Sequence, residues 1–251
     1  MNETSGNNTV VEVHDVRVAY AEDLPPVLDG VSLRFDRGDV SCIVGGSGCG
    51  KSTLLKTIIG LVAPRSGDVT LLDAPIHDLA EVERDALLRR VGVMFQYGAM
   101  LGSLTVGENI SLPLEMHTTV EAGLVRDVVE TWLERVGLAG TADKLPSELS
   151  GGMRKRAALA RAMVMEPEVL FCDEPGAGLD PITAAGIDRL LQSLNERQGT
   201  TIIVVTHELL SIERLDGRLV MLDGGRVVYD GTAREARDAS RQDLDLFFHP
   251  R

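Results

Sequence analysis

The sequence is short of cysteine, of basic charge and of long apolar runs. Its three cysteines, Cys42, Cys49 and Cys172, are odd in number and lack metal-ligand spacing. They offer neither a disulfide framework nor a zinc site, and a reduced, cytoplasmic compartment suits them. Lys and Arg number 25 against 38 Asp and Glu, a net charge of −13. That balance excludes a large non-specific nucleic-acid surface. It leaves nucleotide binding open, because a nucleotide needs only local N–H groups and one or two cations. No apolar run approaches the ~20 residues of a membrane span; the best, Thr53 to Pro64, is broken by Lys56. Any transport role would therefore need separate membrane subunits. The opening MNETSGNNTV has no basic residue and no apolar stretch, so it reads as a tail, residues 1–9, and not as a secretory signal. Internal repeats, sustained heptads and low-complexity linkers are also absent.

What is there is a core-forming chain of 251 residues, 44% hydrophobic, sized for one large domain or a domain with a subdomain. Val10 to Tyr20 alternates and is rich in valine, which predicts a strand. Ser32 to Phe35 and Val40 to Val44 predict two more. Leu54 to Leu61 predicts a helix after the glycine-rich Gly45 to Gly50. In Val120 to Val136, the spacing of Leu124, Val128, Trp132, Leu133 and Val136 predicts a helix with one buried face. Gly151 to Met165 predicts an alanine-rich helix carrying Arg154, Lys155, Arg156 and Arg161. Val169 to Cys172 and Thr201 to Thr206 are short apolar runs of the kind found in buried parallel strands, with Ile182 to Leu194 as crossover helix. Gly217 to Tyr229 predicts a hairpin turning at Asp223-Gly224-Gly225, and Arg234 to Phe248 a terminal helix.

Two segments carry chemistry. GGSGCGKST, spanning Gly45, Gly46, Ser47, Gly48, Cys49, Gly50, Lys51, Ser52 and Thr53, fits G-x-x-x-x-G-K-S between a strand and a helix. Its glycines let backbone N–H groups face phosphate oxygens. Lys51 would neutralise the β- and γ-phosphates, Ser52 would ligate Mg²⁺, and Thr53 at the helix start would meet the α-phosphate. Cys49 occupies a variable position and serves as a small side chain that fits. Val169 to Glu174 ends four apolar residues with two carboxylates, at the strand end where ligands bind in open α/β sheets. Asp173 would hold Mg²⁺ and Glu174 would act as general base toward water.

LSGGM at Leu149 to Met153, followed by Arg154-Lys155-Arg156, resembles the signature motif of ABC ATPases. Gln96 resembles that family's Q-loop glutamine, a Mg²⁺ ligand. Gly178-Leu179-Asp180 resembles the D-loop, His207 the switch histidine, and Tyr20 the aromatic that stacks on adenine. The resemblance covers roughly Val10 to Gly231. It implies an α/β fold of the P-loop NTPase class, the ABC-type nucleotide-binding domain. Such a domain has a RecA-like core, an antiparallel β subdomain and a helical signature subdomain. Here the ATPase domain would span 10–232, with the helical subdomain about 97–165 and a carboxyl-terminal extension at 233–251. It further implies ATP and Mg²⁺ as ligands. ATP would be held between two copies of the chain in a head-to-tail homodimer, with Ser150, Gly151, Gly152 and Asp180 of one copy facing the nucleotide of the other. Two departures are Met153, where glutamine is common, and Gly176-Ala177-Gly178, where a serine often precedes the D-loop. Soluble chromosome-maintenance relatives split the domain with long coiled coils, and translation-associated ones carry two motif sets; neither feature is present.

Phe95 to Met100 and Ser103 to Ile110, with LSGGM before Arg156 and Asp180 to Thr183, resemble more narrowly the ATPases of bacterial Mla/Mce lipid transport systems. That resemblance implies phospholipid or related lipid as cargo. It also implies integral-membrane permease subunits and a Mce-domain lipid-binding protein as partners, and a peripheral position on the cytoplasmic face of the inner membrane. An ABC transporter of another substrate, or a soluble ABC ATPase, is the alternative. Met100, Leu101, Leu104 and Val106 would line a groove for a permease helix or pack between subdomains. Phe247 and Phe248 would dock on a partner or on the chain's own core.

Overall fold

The computed structural model describes residues 8–238. The elements run β1 (Thr9–Val18), β2 (Leu28–Asp36), β3 (Val40–Val44), α1 (Lys51–Ile58), β4 (Ser66–Leu71), β5 (Ala74–Pro75), α2 (Glu81–Leu88), β6 (Val91–Met94), α3 (Val106–His117) and α4 (Ala122–Arg135). A 3₁₀ turn (Pro146–Glu148) leads into α5 (Gly151–Met163), β7 (Val169–Asp173), α6 (Pro181–Gln198), β8 (Thr201–Val205), α7 (Leu209–Leu215), β9 (Arg218–Asp223), β10 (Arg226–Thr232) and α8 (Ala233–Asp238). Among the described residues, no helix is long and apolar enough to cross a membrane.

Six strands form one sheet in the order β10-β9-β3-β8-β7-β6. The five from β9 to β6 are parallel, and β10 returns antiparallel from β9. Residues in a strand alternate between faces, and here both faces are covered. Cys42 and Val44, Leu170 and Cys172, Ile202 and Val204, and Leu219 and Met221 enter one core with α3 to α6. Their neighbours Ile43, Val169, Phe171, Ile203, Val205, Val220 and Leu222 enter a second core with α1 and the other sheet. This is why the runs read as continuously apolar. All three cysteines are free and buried, and burial pushes the Cys42 thiol up to about 12. Removal from water thus holds that thiol protonated and unreactive.

The second sheet, β2-β1-β4-β5, is antiparallel. The valine alternation of β1 is interrupted by an irregularity between Val13 and Val16, where Asp15 adopts φ 45. The extra residue restores Val16 and Val18 to the core side, where strict alternation would have turned Val16 outward.

Several expectations need correction. Tyr20 lies beyond the end of β1. The buried face of α4 is Val125, Val129, Trp132 and Leu133, so Leu124 is 56% exposed and not part of it. Of the segment after Gln96, Val106 is fully buried and Met100 packs against the core, whereas Leu101 and Tyr97 are exposed. The terminal helix is described only to Asp238; Phe247 and Phe248 lie outside the described residues.

Replacing Trp132 by Ala is expected to cost about 3–5 kcal/mol in denaturant unfolding, as large buried aromatics do. Leu124→Ala is expected to stay within ~0.5 kcal/mol. A larger loss at Leu124 than at Trp132 would contradict this facing of α4.

Candidate active site

The parallel pairing of β3, β8 and β7 brings their carboxyl ends to one edge. The loop from β3 to α1 emerges there. Gly45 has φ 145, and a Cβ at that position would collide with the Leu222 carbonyl oxygen and sit 2.7 Å from Cys49 Sγ. Gly50, at φ 107, caps α1; a Cβ on it would meet Leu28 Cδ2 at 2.7 Å. Only glycine tolerates both the backbone and the close approach. Gly46 and Gly48, by contrast, face open space. Lys51 folds back over this loop, donating to the Gly45 and Gly46 carbonyls at 2.8 and 3.0 Å. The side chain of Cys49 is buried beneath it. The loop is thus a curled backbone with an ammonium across it and the first N–H groups of α1 at its end, an anion site on physical grounds alone.

Ser52 Oγ donates to Asp173 Oδ1 at 3.2 Å, joining α1 to the last residue of β7. Burial pushes the Asp173 carboxyl above its ordinary value; the Ser52 hydrogen bond opposes this and the Glu174 charge adds to it. Glu174 follows at φ 50, an uncommon conformation for a side-chain-bearing residue. Its N–H donates to the Val205 carbonyl and its Oε1 accepts from His207 Nδ1 at 2.7 Å. Glu174 Oε2 is buried with no hydrogen-bond partner. His207 itself is exposed just after β8. Tyr20, 61% exposed, reaches Thr53 Oγ1 with its hydroxyl at 2.9 Å.

Hydrogen bonds therefore gather Tyr20, Gly45 to Thr53, Asp173, Glu174 and His207. The signature residues stand at the start of α5. Ser150 caps α5, accepting from the Met153 N–H at 3.3 Å. Gly151 lines a separate depression of about 350 Å³ with Gln96, Lys155 and Ala177 to Leu179. Gly152 packs so closely on Thr183 Cγ2 that a Cβ would clash. Asp180 caps α6 through the N–H groups of Ile182 and Thr183 and the Thr183 hydroxyl, which hold its carboxyl below the usual range. The Met153 side chain packs partly against the core. That leaves the Ser150 cap unaffected by the departure at this position.

Sequence reasoning missed the work of the basic residues on α5. Arg154 donates to the Leu149 carbonyl, Lys155 to that of Glu174, Arg156 to that of Val136, and Arg161 to those of Gly98 and Ala99. All four bond to backbone oxygens, and so stitch α5 to the surrounding loops. A run of basic residues at a helix start was the available signal, but it points equally to solvent.

The site is that of a P-loop nucleotide-binding domain of the ABC type. Residues 28–177 match the ABC transporter family. The methionine import ATP-binding protein MetN of Caulobacter vibrioides is 39% identical over 241 residues, 96% of this chain and 69% of that protein. A relative from Mycobacterium leprae, named "Probable ribonucleotide transport ATP-binding protein mkl", is 40% identical over 183 residues, 73% of this chain and 53% of that one. Among solved structures, cbiO1 from Clostridium perfringens, part of the cbiONQ ABC transporter complex, superposes with a TM-score of 0.84 at 30% identity, covering 97% of this chain and 96% of that one. A dimeric ATP-binding cassette in a post-hydrolysis state bound to ADP and Pi gives 0.81 at 31%, covering 88% and 98%. The chain belongs to the ABC transporter family, among its ATP-binding, ATP-hydrolysing subunits.

A carboxyl whose folded pKa is raised contributes stability that is full below its unfolded pKa and is lost as pH rises through the folded one. Ionisation of Asp173 as pH rises thus weakens the fold. Asp173→Asn is expected to raise the melting temperature of the nucleotide-free protein at pH 7. The gain should shrink as pH falls toward the ordinary Asp range. A variant melting below wild type at pH 7 would contradict this.

Proposed function

We propose that two copies of this chain, head to tail, hydrolyse ATP to drive integral-membrane permease subunits from the cytoplasmic face of the cell membrane. The observation that carries hydrolysis is the state of Glu174. One carboxylate oxygen is held by His207 and the other is buried without a partner. Leaving such an oxygen unsatisfied is costly, and a water molecule is the donor that fits.

The donor set suits Mg²⁺, a hard cation that takes oxygen ligands: Ser52 Oγ and Asp173 Oδ1 already converge, and Gln96 follows β6 on the same edge of the sheet. When bound, Mg²⁺ would screen the charge on the phosphates. The chain's own residues do the rest. Gly45 to Thr53 hold the phosphates through N–H groups, and Lys51 exchanges the Gly45 and Gly46 carbonyls for phosphate oxygens. Tyr20 offers its ring to adenine, and its exposure leaves that face open. Glu174 accepts a proton from the attacking water, and His207 keeps the carboxylate in place. Ser150, Gly151 and Gly152, a helix start with free N–H groups, face the γ-phosphate held by the second copy, with Asp180 beside them. Closure and reopening follow from different affinities of the two states for ATP and ADP. The exposed Tyr97 and Leu101 beside Gln96 offer contact to a permease helix.

For the cargo we propose phospholipid or a related lipid, with a Mce-domain protein as further partner. The support is the resemblance of Phe95 to Ile110 and of Asp180 to Thr183. Methionine import is the second reading, supported by the 39% identity to MetN. Purification of the tagged chain in mild detergent separates the two. A polytopic permease with a Mce-domain protein and phospholipid is expected. A permease whose ATPase responds to methionine would replace the lipid reading, and the absence of any membrane protein would overturn the transporter reading.

Glu174→Gln is expected to lower hydrolysis by about 10²-fold or more, as loss of a general base does. Binding of MgATP, followed by nucleotide titration, should persist. Hydrolysis at the wild-type rate would remove Glu174 from the role of base.

A further inference from the structure

Lys155 is a buried charged residue for which the nucleotide site has no assigned use. It lies in the second turn of α5 and is 8% exposed. Lysine is rarely buried unless it is paired. Here Nζ donates to the backbone carbonyl of Glu174 at 2.8 Å. Burial lowers its pKa, and the charges of Glu208 and then Glu174 oppose that shift. Glu208 follows His207 directly, and its Oε2 lies 2.8 Å from where a Cβ on Gly176 would stand. The ammonium is thus bonded to the residue after β7 and lies in the field of the residue after His207.

Glu174 needs such an anchor. Its φ of 50 is strained for a residue with a side chain, and persists only where the surroundings fix it. Its N–H is fixed by Val205 on β8. Its carbonyl is fixed by Lys155 from α5. These two bonds hold the two peptide planes flanking the Glu174 Cα, and so set the direction of its carboxylate.

We infer that Lys155 is a positioning residue for Glu174, and that it makes the signature end of α5 and the Glu174 carboxylate move as one body. A shift of Ser150 to Gly152 against the second copy's nucleotide would then reach the chain's own Glu174 through a single buried hydrogen bond. This rests on the reading of Glu174 as the base.

The test is steady-state ATP hydrolysis by the full-length chain carrying Lys155→Met, Lys155→Arg or Glu174→Gln, alongside MgATP titration of each. Lys155→Met matches the apolar stem and removes the donor nitrogen. It is expected to lower kcat by about 10–100-fold, the effect of misplacing a catalytic group by ~1 Å, with MgATP affinity within about twofold of wild type. Lys155→Arg, which keeps a charged donor, should recover most of kcat. An unchanged kcat in Lys155→Met, or a parallel fall of kcat and affinity that Arg does not rescue, overturns the inference. Should Lys155→Met fail to fold, Lys155→Gln decides. Its amide is one atom shorter and reaches the carbonyl only if α5 shifts, so reduced kcat at unchanged affinity is expected and wild-type kcat overturns. Glu174→Gln separates the two failures. If it hydrolyses normally, the base assignment falls; if it is inactive while Lys155→Met is normal, only the role of Lys155 falls.

Discussion

The hydrogen bond from Ser52 to Asp173 joins residues 121 apart in sequence, and the site depends on the constraint it expresses. Neither segment is a site alone. The glycine loop after β3 is an anion cradle with no acid, and the end of β7 is a pair of acids with no cradle. Parallel pairing through β8 puts both on one edge of the sheet. Burial of both sheet faces keeps that edge rigid, because a register slip of one residue would exchange Phe171 and Cys172 between the two cores. The cost is an acid held where water is scarce. The raised Asp173 carboxyl and the unpartnered Glu174 oxygen are both groups that the fold alone leaves poorly satisfied.

Helix α5 differs between its start and its body. Its first turn is left with free N–H groups behind the Ser150 cap, which suits an anion brought by another molecule. Its body is sewn to the β7 end, to the loop after α4 and to the segment after Gln96 by Lys155, Arg156 and Arg161. Asn109 does similar work from α3. Fully buried, it donates to the carbonyls of Leu101, Leu104 and Thr105 and accepts from the Leu101 N–H. The segment from Gly98 to Thr105 is therefore ordered by side chains of two helices, while Tyr97 and Leu101 stay exposed.

The strands of the large sheet were legible because two-sided burial leaves short apolar runs with little ambiguity, and the phosphate loop because its glycines are sterically required. The start of α3 was legible in principle: Thr105 and Glu108 form a reciprocal capping box. The buried face of α4 was misassigned because Leu124 and Val125 are adjacent and apolar, and only packing against α3 and α5 selects Val125. The β1 irregularity at Asp15 carries no sequence mark. Lys155 was invisible for a different reason: its partner is a backbone carbonyl, and a carbonyl has no residue type. Ser150 to Gly152 were legible by motif, and the serine cap of α5 is the part of that reading that the fold itself uses.

The most direct test of this account is light scattering on Glu174→Gln with and without MgATP. If the nucleotide completes a composite site, the mass doubles on adding MgATP and returns on its removal. Adding Ser150→Arg to the same chain should then keep it monomeric while nucleotide still binds. A chain that stays monomeric in Glu174→Gln with MgATP bound, or pairs equally well with Ser150→Arg, would contradict the claim that the signature of one copy meets the nucleotide of the other.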